Sequence, residues 1–134
     1  MAILRDDRLP IRSSDDIVKV RQITREFALM HAFSLVDQTK LITAASELAR
    51  NTLEHGGGGE VRIQSFQEGI RQGVRLTFID QGPGIPDLGK ALTDGFTTGG
   101  GMGLGLSGSK RLVNEFDIQS EVNKGTTVTI ARWK

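Results

Sequence analysis

The chain of 134 residues contains no cysteine, and this absence excludes disulfide bonds and thiolate chemistry. No apolar run approaches the about 18 residues that a membrane-spanning helix needs, and the charged N-terminus does not resemble a secretory signal peptide. The net charge of +1 lacks the basic excess of a sequence-independent nucleic-acid binder. The length predicts one globular domain over residues 1–134, and these absences predict that it lies in the cytoplasm, with neither nucleic acid nor membrane as a partner.

Hydrophobic periodicity predicts an α+β order. Apolar residues from Ile17 at spacings of three and four indicate a helix that ends near residue 31, and Ser34 with Asp37 marks the start of a second helix over 35–54. Further predicted elements are strands over 9–12, 60–67, 73–80, 118–122 and 126–133, and helices over 87–94 and 104–116. This order predicts a two-layer α/β sandwich of the α+β class, with helices on one face of a mixed sheet.

Residues 80–106 combine an acid at the end of an apolar strand with a high density of glycine. Glycine backbone N–H groups that precede a helix form anion sites. We therefore interpret this stretch as a nucleotide pocket, with Asp80 at the base end and the glycine tract at the phosphate end. Apolar residues interleaved among these glycines favour a lid that closes over a phosphate chain, rather than a solvated linker.

Three polar residues are candidates for site chemistry. Glu47 and Asn51 lie four apart and share a helix face, so the amide is suited to Mg²⁺ and the carboxylate to a general base. Their alternative is a solvated surface pair. The Asp80 carboxylate can accept from the exocyclic amine of adenine, and its alternative is a turn aspartate that bonds its own loop.

Two familiar phosphate-binding patterns fail in this sequence. Residues 84–90 have P-loop spacing, but Ala91 stands where a hydroxyl must reach the metal. Residues 103–108 fit a dinucleotide-binding pattern, but a glycine-rich loop precedes them where a strand is required. The two histidines, His31 and His55, have no acid or cysteine at ligand spacing, so both are predicted as surface residues at helix ends.

Four segments in order resemble the N, G1, G2 and terminal Gly-Thr motifs of the GHKL ATPase superfamily. They are SELARN (46–51), DQGPGIPD (80–87), GGGMGLGL (99–106) and GTTVT (125–129). Within it, the chain most resembles the small anti-sigma-factor serine/threonine kinases of the RsbT, or stressosome switch kinase, type. DIVKVR (16–21) and KRLVNEF (110–116) extend this likeness over nearly the whole chain. The resemblance implies the Bergerat α/β sandwich.

The resemblance also implies ATP and Mg²⁺ as cofactors, and it assigns roles residue by residue. Glu47 becomes the general base, Asn51 the magnesium ligand and Asp80 the adenine contact. Thr126 or Thr127 assists Asp80, and the resemblance does not choose between them. The remaining implied nucleotide contacts are Gly82, Gly84, Ile85, Gly99, Gly100, Gly101, Met102, Gly103, Leu104, Gly105 and Leu106.

The function implied by the resemblance is phosphorylation of STAS-domain proteins (RsbS/RsbR-like) in a stress-response pathway. The free kinase is then expected to bind and activate an output protein such as a PP2C-type phosphatase. We expect no phosphoacceptor-histidine hairpin or transducer domain, which favours a kinase that acts on a separate protein. Two alternatives stay open: an anti-sigma factor that sequesters a sigma factor, and a stand-alone ATP-binding switch without a protein substrate.

Overall fold

The computed structural model describes residues 1–92 and 106–134, which form a five-stranded sheet with helices packed on one face. In chain order the elements are β1 (Ala2–Ile11), α1 (Ser14–Met30), α2 (Leu35–Glu54), β2 (Gly59–Glu68), β3 (Arg71–Asp80), α3 (Leu88–Ala91), α4 (Leu106–Arg111), β4 (Glu115–Glu121) and β5 (Gly125–Trp133). The strand order is β1-β2-β3-β5-β4. No helix among these residues is long and apolar enough to span a membrane.

The predicted two-layer α+β sandwich is confirmed, but the sheet is not mixed, because every pairing between the described strands is antiparallel. The connection between β1 and β2 explains the difference. It contains two long helices, and α2 returns the chain to the end of the sheet at which β1 finished. The next strand therefore runs back along β1 in the opposite direction.

The predicted bounds of α2 are confirmed at both ends. The backbone N–H of Asp37 donates to Ser34 Oγ at 3.1 Å, which caps the first turn. At the other end Gly57 and Gly58 adopt φ values of +75° and +103°, a conformation in which the helix cannot continue. The inward face of α2 places small and apolar side chains against the sheet, namely Leu41, Ala44, Ala45, Leu48 and Ala49.

Other predicted boundaries need correction. β1 begins at Ala2 and not at residue 9, because its charged residues are accommodated on an edge strand, where Asp6 pairs with Arg62 of β2. The predicted helix over 104–116 is described from Leu106 and ends at Arg111. Phe116, assigned to that helix, lies in β4 opposite Ile130. The predicted helix over 87–94 corresponds to the short α3.

His31 is buried and not a surface residue, which corrects the prediction. Its side chain is 4% exposed at the end of α1, where Nε2 lies 2.5 Å from Ser65 Oγ and Nδ1 lies 2.8 Å from Gln72 Oε1. Ser65 and Gln72 belong to β2 and β3, so the imidazole joins the helix layer to the sheet. Buried polar groups need such partners, because an unpaired one costs about 1–3 kcal/mol.

Candidate functional site

A cavity opens at the end of the sheet where α2 and β3 finish and β5 begins. Its lining brings together five of the predicted site residues, namely Asn51, Asp80, Ile85, Leu106 and Thr126. Asn51 belongs to α2 and Asp80 to β3, so the helix-borne amide and the strand-end acid face one common cleft. Apolar side chains of Leu48, Phe78 and Val128 form the floor. An apolar lining with a few polar groups is typical of a small-molecule site, although the space enclosed by these described residues is only about 20 Å³.

Asp80 contributes a carboxylate to the lining of this cavity. It is the last residue of β3, pairs with Thr126 of β5 and is only 8% exposed. Its Oδ1 accepts from the backbone N–H of Gly82 at 2.9 Å, so the turn bond considered as an alternative is present. A carboxylate has several acceptor positions, and the same group can therefore also accept from a ligand amine.

Three glycines lie around Asp80, and a Cβ atom on any of them would clash with neighbouring atoms. A Cβ on Gly56 would lie 2.6 Å from Asp80 Oδ2, and one on Gly125 would overlap the Asp80 carbonyl oxygen. A Cβ on Gly82 would lie 2.7 Å from the Gly56 Cα atom. Sequence reasoning treated Gly56 only as part of a helix stop. These close approaches bring the backbone segments at Gly56, Gly82 and Gly125 together beside Asp80.

Gly84 and Ile85 continue the loop after Gly82. Gly84 has a φ of +77° and packs against the backbone carbonyl of Glu121, so a side chain there is excluded both by conformation and by space. The N–H of Ile85 donates to Ser120 Oγ at 2.7 Å, and its side chain is 8% exposed. The loop is therefore attached to β4, and its predicted role in shaping a base pocket stays a prediction.

The two candidate threonines occupy opposite faces of β5. Thr126 is 7% exposed, lines the cavity, and places Oγ1 2.7 Å from Ser120 Oγ. Thr127 is the next residue of the strand, so its side chain projects from the other face of the sheet, away from the helices. Of the two threonines, Thr126 is therefore the one beside Asp80. Ser120 was missed because no motif marks it.

Asn51 and Glu47 sit one helical turn apart in different surroundings. Asn51 is half-buried and lines the cavity. The side chain of Glu47 is 40% exposed and pairs with Arg50, whose Nη1 lies 3.0 Å from Oε1. Glu47 is thus open to solvent, as the surface alternative expects, and its role as a base stays a prediction.

The polar groups of the cavity suit a magnesium ion that is shared with phosphates. No group of three or more His, Cys, Asp or Glu side chains in the described ranges forms a metal site by itself. Mg²⁺ at nucleotide sites keeps several waters and takes only one or two protein oxygens besides the phosphates. The Asn51 amide oxygen is a ligand of this kind, so the residue fits the predicted ion.

His55 is a cavity residue that sequence reasoning misassigned to the surface. It is half-buried, and its Nε2 lies 3.3 Å from the backbone oxygen of Gly84. It follows Asn51 by four residues at the end of α2, so both side chains belong to one helix face. That spacing was the available signal.

The predicted phosphate end falls largely outside the described residues. Gly99, Gly100, Gly101, Met102, Gly103, Leu104 and Gly105 all lie outside the described ranges. Leu106 is the first described residue after them, begins α4 and is 2% exposed in the cavity lining. The nucleotide roles of these seven residues and of Leu106 stay predictions.

Comparison with known proteins identifies the class of ATPase to which this fold and cavity belong. Residues 36–134 match the family described as Histidine kinase-, DNA gyrase B-, and HSP90-like ATPase, and the chain belongs to that family. It is 43% identical over 118 residues to Serine/threonine-protein kinase RsbT of Bacillus subtilis (strain 168), covering 88% of this chain and 89% of the relative. The predicted superfamily and the predicted enzyme class, a protein serine/threonine kinase, are thereby confirmed.

A second relative carries a different name. The chain is 36% identical over 99 residues to Anti-sigma F factor of Geobacillus stearothermophilus, covering 70% of this chain and 68% of that protein. The family thus includes both kinases and anti-sigma factors.

Solved structures support the fold. The structure of the RsbU and RsbW domains of Rv1364c from Mycobacterium tuberculosis aligns with a TM-score of 0.66 at 22% identity, over 97% of this chain and 33% of that one. The catalytic domain of histidine kinase ThkA aligns with a TM-score of 0.56 at 20% identity, over 98% of this chain and 95% of that one. At such identities the likeness concerns the fold alone.

Proposed function

We propose that residues 1–134 act as one cytoplasmic kinase domain that transfers the γ-phosphoryl group of ATP to a serine or threonine of STAS-domain proteins (RsbS/RsbR-like), in a stressosome-type pathway. The observation that carries the proposal is the convergence of Asn51, Asp80 and Thr126 on one cavity. A carboxylate beside a hydroxyl suits the edge of a purine, and an amide oxygen at a distance along the helix suits a metal-bridged phosphate chain.

The purine end selects adenine by its hydrogen-bonding pattern. Asp80 accepts from the exocyclic amine, a charge-assisted bond worth about 1.5–3 kcal/mol. Guanine carries a carbonyl oxygen at that position, which would face the carboxylate without a proton between them. A site built around such a bond rejects the analogue that lacks the donor, because a buried acceptor would be left unpaired.

The phosphate end combines Asn51 with Glu47. Asn51 would hold Mg²⁺, which when bound neutralises charge on the phosphates. Glu47 accepts the proton of the substrate hydroxyl as that oxygen bonds to the γ-phosphorus and the bond to the ADP oxygen breaks. The 40% exposure of Glu47 supports this role, because the hydroxyl arrives on a separate protein. Positioning and charge neutralisation supply most of the rate, since phosphoryl transfer needs little covalent chemistry from the protein.

We also propose the second activity that the RsbT likeness implies. The kinase, once released from its STAS partner, binds and activates an output protein such as a PP2C-type phosphatase. The 43% identity to RsbT over most of both chains supports it.

The test of the kinase proposal is phosphotransfer from γ-labelled ATP to a purified STAS-domain protein, with and without Mg²⁺. We expect label on the STAS protein only with Mg²⁺ present, and transfer that falls strongly in Glu47→Ala while ATP binding is retained. Arg50→Ala is the matched control, because it removes the partner of Glu47 but not the base. An unchanged transfer rate in Glu47→Ala would remove the base role.

The Anti-sigma F factor relative favours one alternative, in which the chain sequesters a sigma factor. A pull-down with immobilised chain compares a sigma factor with the STAS protein in the presence of ATP. Retention of the sigma factor without any phosphotransfer to the STAS protein would favour the alternative. Turnover of ATP without any acceptor would instead indicate the stand-alone switch.

A further inference from the structure

The end of α1 and the start of α2 form an apolar surface at the opposite end of the molecule from the cavity. We call it the apolar corner and define it as Leu29, Met30, Leu35 and Val36, which are 56%, 49%, 76% and 61% exposed. The four residues come from two neighbouring helices joined by residues 31–34. Clustered exposed apolar side chains mark interaction sites more often than isolated ones do.

The charges around the apolar corner are basic. Arg25 precedes Leu29 by one helical turn, and Lys40 follows Val36 by one turn, so each cation flanks an apolar side chain. Both are exposed and neither has an ion pair within residues 1–92 and 106–134.

The nearby carboxylates are already paired. Asp37 Oδ1 accepts from Arg132 Nη2, and this bond holds the pKa of the Asp37 carboxyl below its ordinary value. Glu26 Oε1 lies 3.8 Å from Arg5 Nη1, and Arg5 also pairs with Asp7 at 2.9 Å. One arginine thus serves two carboxylates, while the two cations that flank the apolar corner have no ion pair in the described part of the chain. The apolar corner therefore presents positive charge to a partner, and complementary potential requires carboxylates on that partner.

The outward face of α2 connects the apolar corner to the candidate site. Val36, Lys40, Thr43 and Glu47 follow one another at intervals of three or four residues on this face. At 1.5 Å per residue, Val36 and Glu47 are about 16 Å apart along the helix axis. A domain of about 100 residues has a radius of gyration of about 13 Å, so one such domain covers both positions.

We propose that the apolar corner, with Lys40, is the docking surface for the protein substrate. The occupant is a folded domain with an apolar patch bordered by carboxylates, which presents its acceptor hydroxyl to Glu47 while it rests on the corner. This inference rests on the proposed function, because it takes Glu47 as the group that meets the hydroxyl. It adds a second contact, remote from the nucleotide, that determines how tightly the substrate protein binds.

The experiment is steady-state phosphotransfer to a purified STAS-domain protein over a range of concentrations. Val36→Asp should raise the KM for the STAS protein about tenfold or more, because a buried apolar contact becomes a charge that repels carboxylates. The kcat and the KM for ATP should not change. Aspartate is favourable in the first turn of a helix, so the variant retains α2.

Two further variants separate the effect of charge from the effect of losing the apolar contact. Val36→Lys removes the same apolar contact but attracts carboxylates, so its KM should rise less than that of Val36→Asp. Lys40→Glu should raise the KM with Val36 intact. The matched control is Val18→Asp on α1, an apolar residue 51% exposed and outside the corner, which should leave the KM unchanged.

Equal KM values for Val36→Asp and the unaltered chain would overturn the docking proposal. An equal KM together with loss of a self-associated species in sedimentation would assign the corner to a second copy, and would also overturn it. Titration calorimetry with the same STAS protein distinguishes the two proposals. If the unaltered chain binds the STAS protein without phosphorylating it, and Val36→Asp weakens that binding, the docking proposal is retained and the kinase function is rejected. Neither binding nor transfer by the unaltered chain rejects both.

Discussion

The polar groups at the two ends of the helix–sheet sandwich differ in their surroundings and partners. At the cavity end, the carboxylate of Asp80 and the amide of Asn51 line an opening. At the other end, the imidazole of His31 is held between Ser65 and Gln72, and the carboxylate of Asp37 is held by Arg132. The polar groups at the first end thus line a cavity, where Asp80 also accepts from the Gly82 N–H, whereas those at the second end join helices to the sheet. This contrast distinguishes a binding site from a structural network better than polarity alone.

The largest expected effect tests the cavity end directly. Asp80→Asn replaces an acceptor by a group that also donates, and it removes the charge from the proposed bond to adenine. We expect ATP affinity to fall by at least tenfold and up to about a hundredfold, since a charge-assisted bond is worth about 1.5–3 kcal/mol. Calorimetric titration with ATP measures the affinity, and a thermal melt within a few degrees of the original shows that the fold is retained. Unchanged affinity would reject the role of Asp80.

A second variant tests the crowding around Asp80. Gly56→Ala introduces a Cβ atom 2.6 Å from Asp80 Oδ2, so the carboxylate or the backbone must move. We expect a loss of about 1–3 kcal/mol in the free energy of unfolding, together with weaker ATP binding. Gly108→Ala is the control, because no atom of the described residues lies within 4 Å of its added Cβ in α4 and alanine favours the helix. Equal stabilities of the two variants would contradict the crowding.

The two histidines provide the most direct comparison between the ends. His31→Ala should lower the free energy of unfolding by about 1–3 kcal/mol, because Ser65 loses its buried partner, and should leave ATP affinity unchanged. His55→Ala removes the contact with the Gly84 carbonyl and part of the cavity wall, so it should weaken ATP binding about twofold to tenfold with a smaller effect on stability. Urea denaturation and ATP titration on both variants measure the pattern, and the reverse pattern would refute the contrast.

The smallest effect concerns pH at the far end. The hydrogen bond and charge of Arg132 lower the pKa of Asp37 from its ordinary value of 3.8. A carboxyl whose folded pKa is lowered contributes stability above its unfolded pKa, and this stability is lost as the pH falls through the folded pKa. Arg132→Gln should therefore flatten the acid limb of unfolding below about pH 4. The pH-dependent part of the effect should stay under about 1 kcal/mol, because the Asp37 side chain is 34% exposed and solvent screens it. The variant also removes the bond from Arg132 Nη1 to the Leu112 carbonyl, and that loss does not depend on pH.

Sequence alone predicted the local features well. The bounds of α2 followed from the Ser34 cap and the glycines after Glu54, which act within a few residues of one another. The convergence of Asn51 and Asp80 followed from motif order and family likeness, and the cavity contains both.

Features that depend on strand register or on distant partners were not predictable in the same way. That Thr126, and not Thr127, lies beside Asp80 followed only from the pairing of β5 with β3. The burial of His31 depends on Ser65 and Gln72, more than thirty residues away, and no local pattern marks those partners. β1 was predicted too short because the charged residues of this edge strand interrupt the apolar pattern by which a strand is recognised.

Helix α2 is continuous from Leu35 to Glu54, so it fixes the distance between the features at its two ends. This helix carries Leu35 and Val36 of the apolar corner in its first turn and the Asn51 amide near its last turn, so the spacing and the angle between them are set by the helical repeat. A single residue inserted after Thr43 would rotate everything beyond it by about 100° relative to what comes before. Such an insertion would turn the Asn51 amide away from the cavity, together with the buried side chains of Leu48 and Ala49.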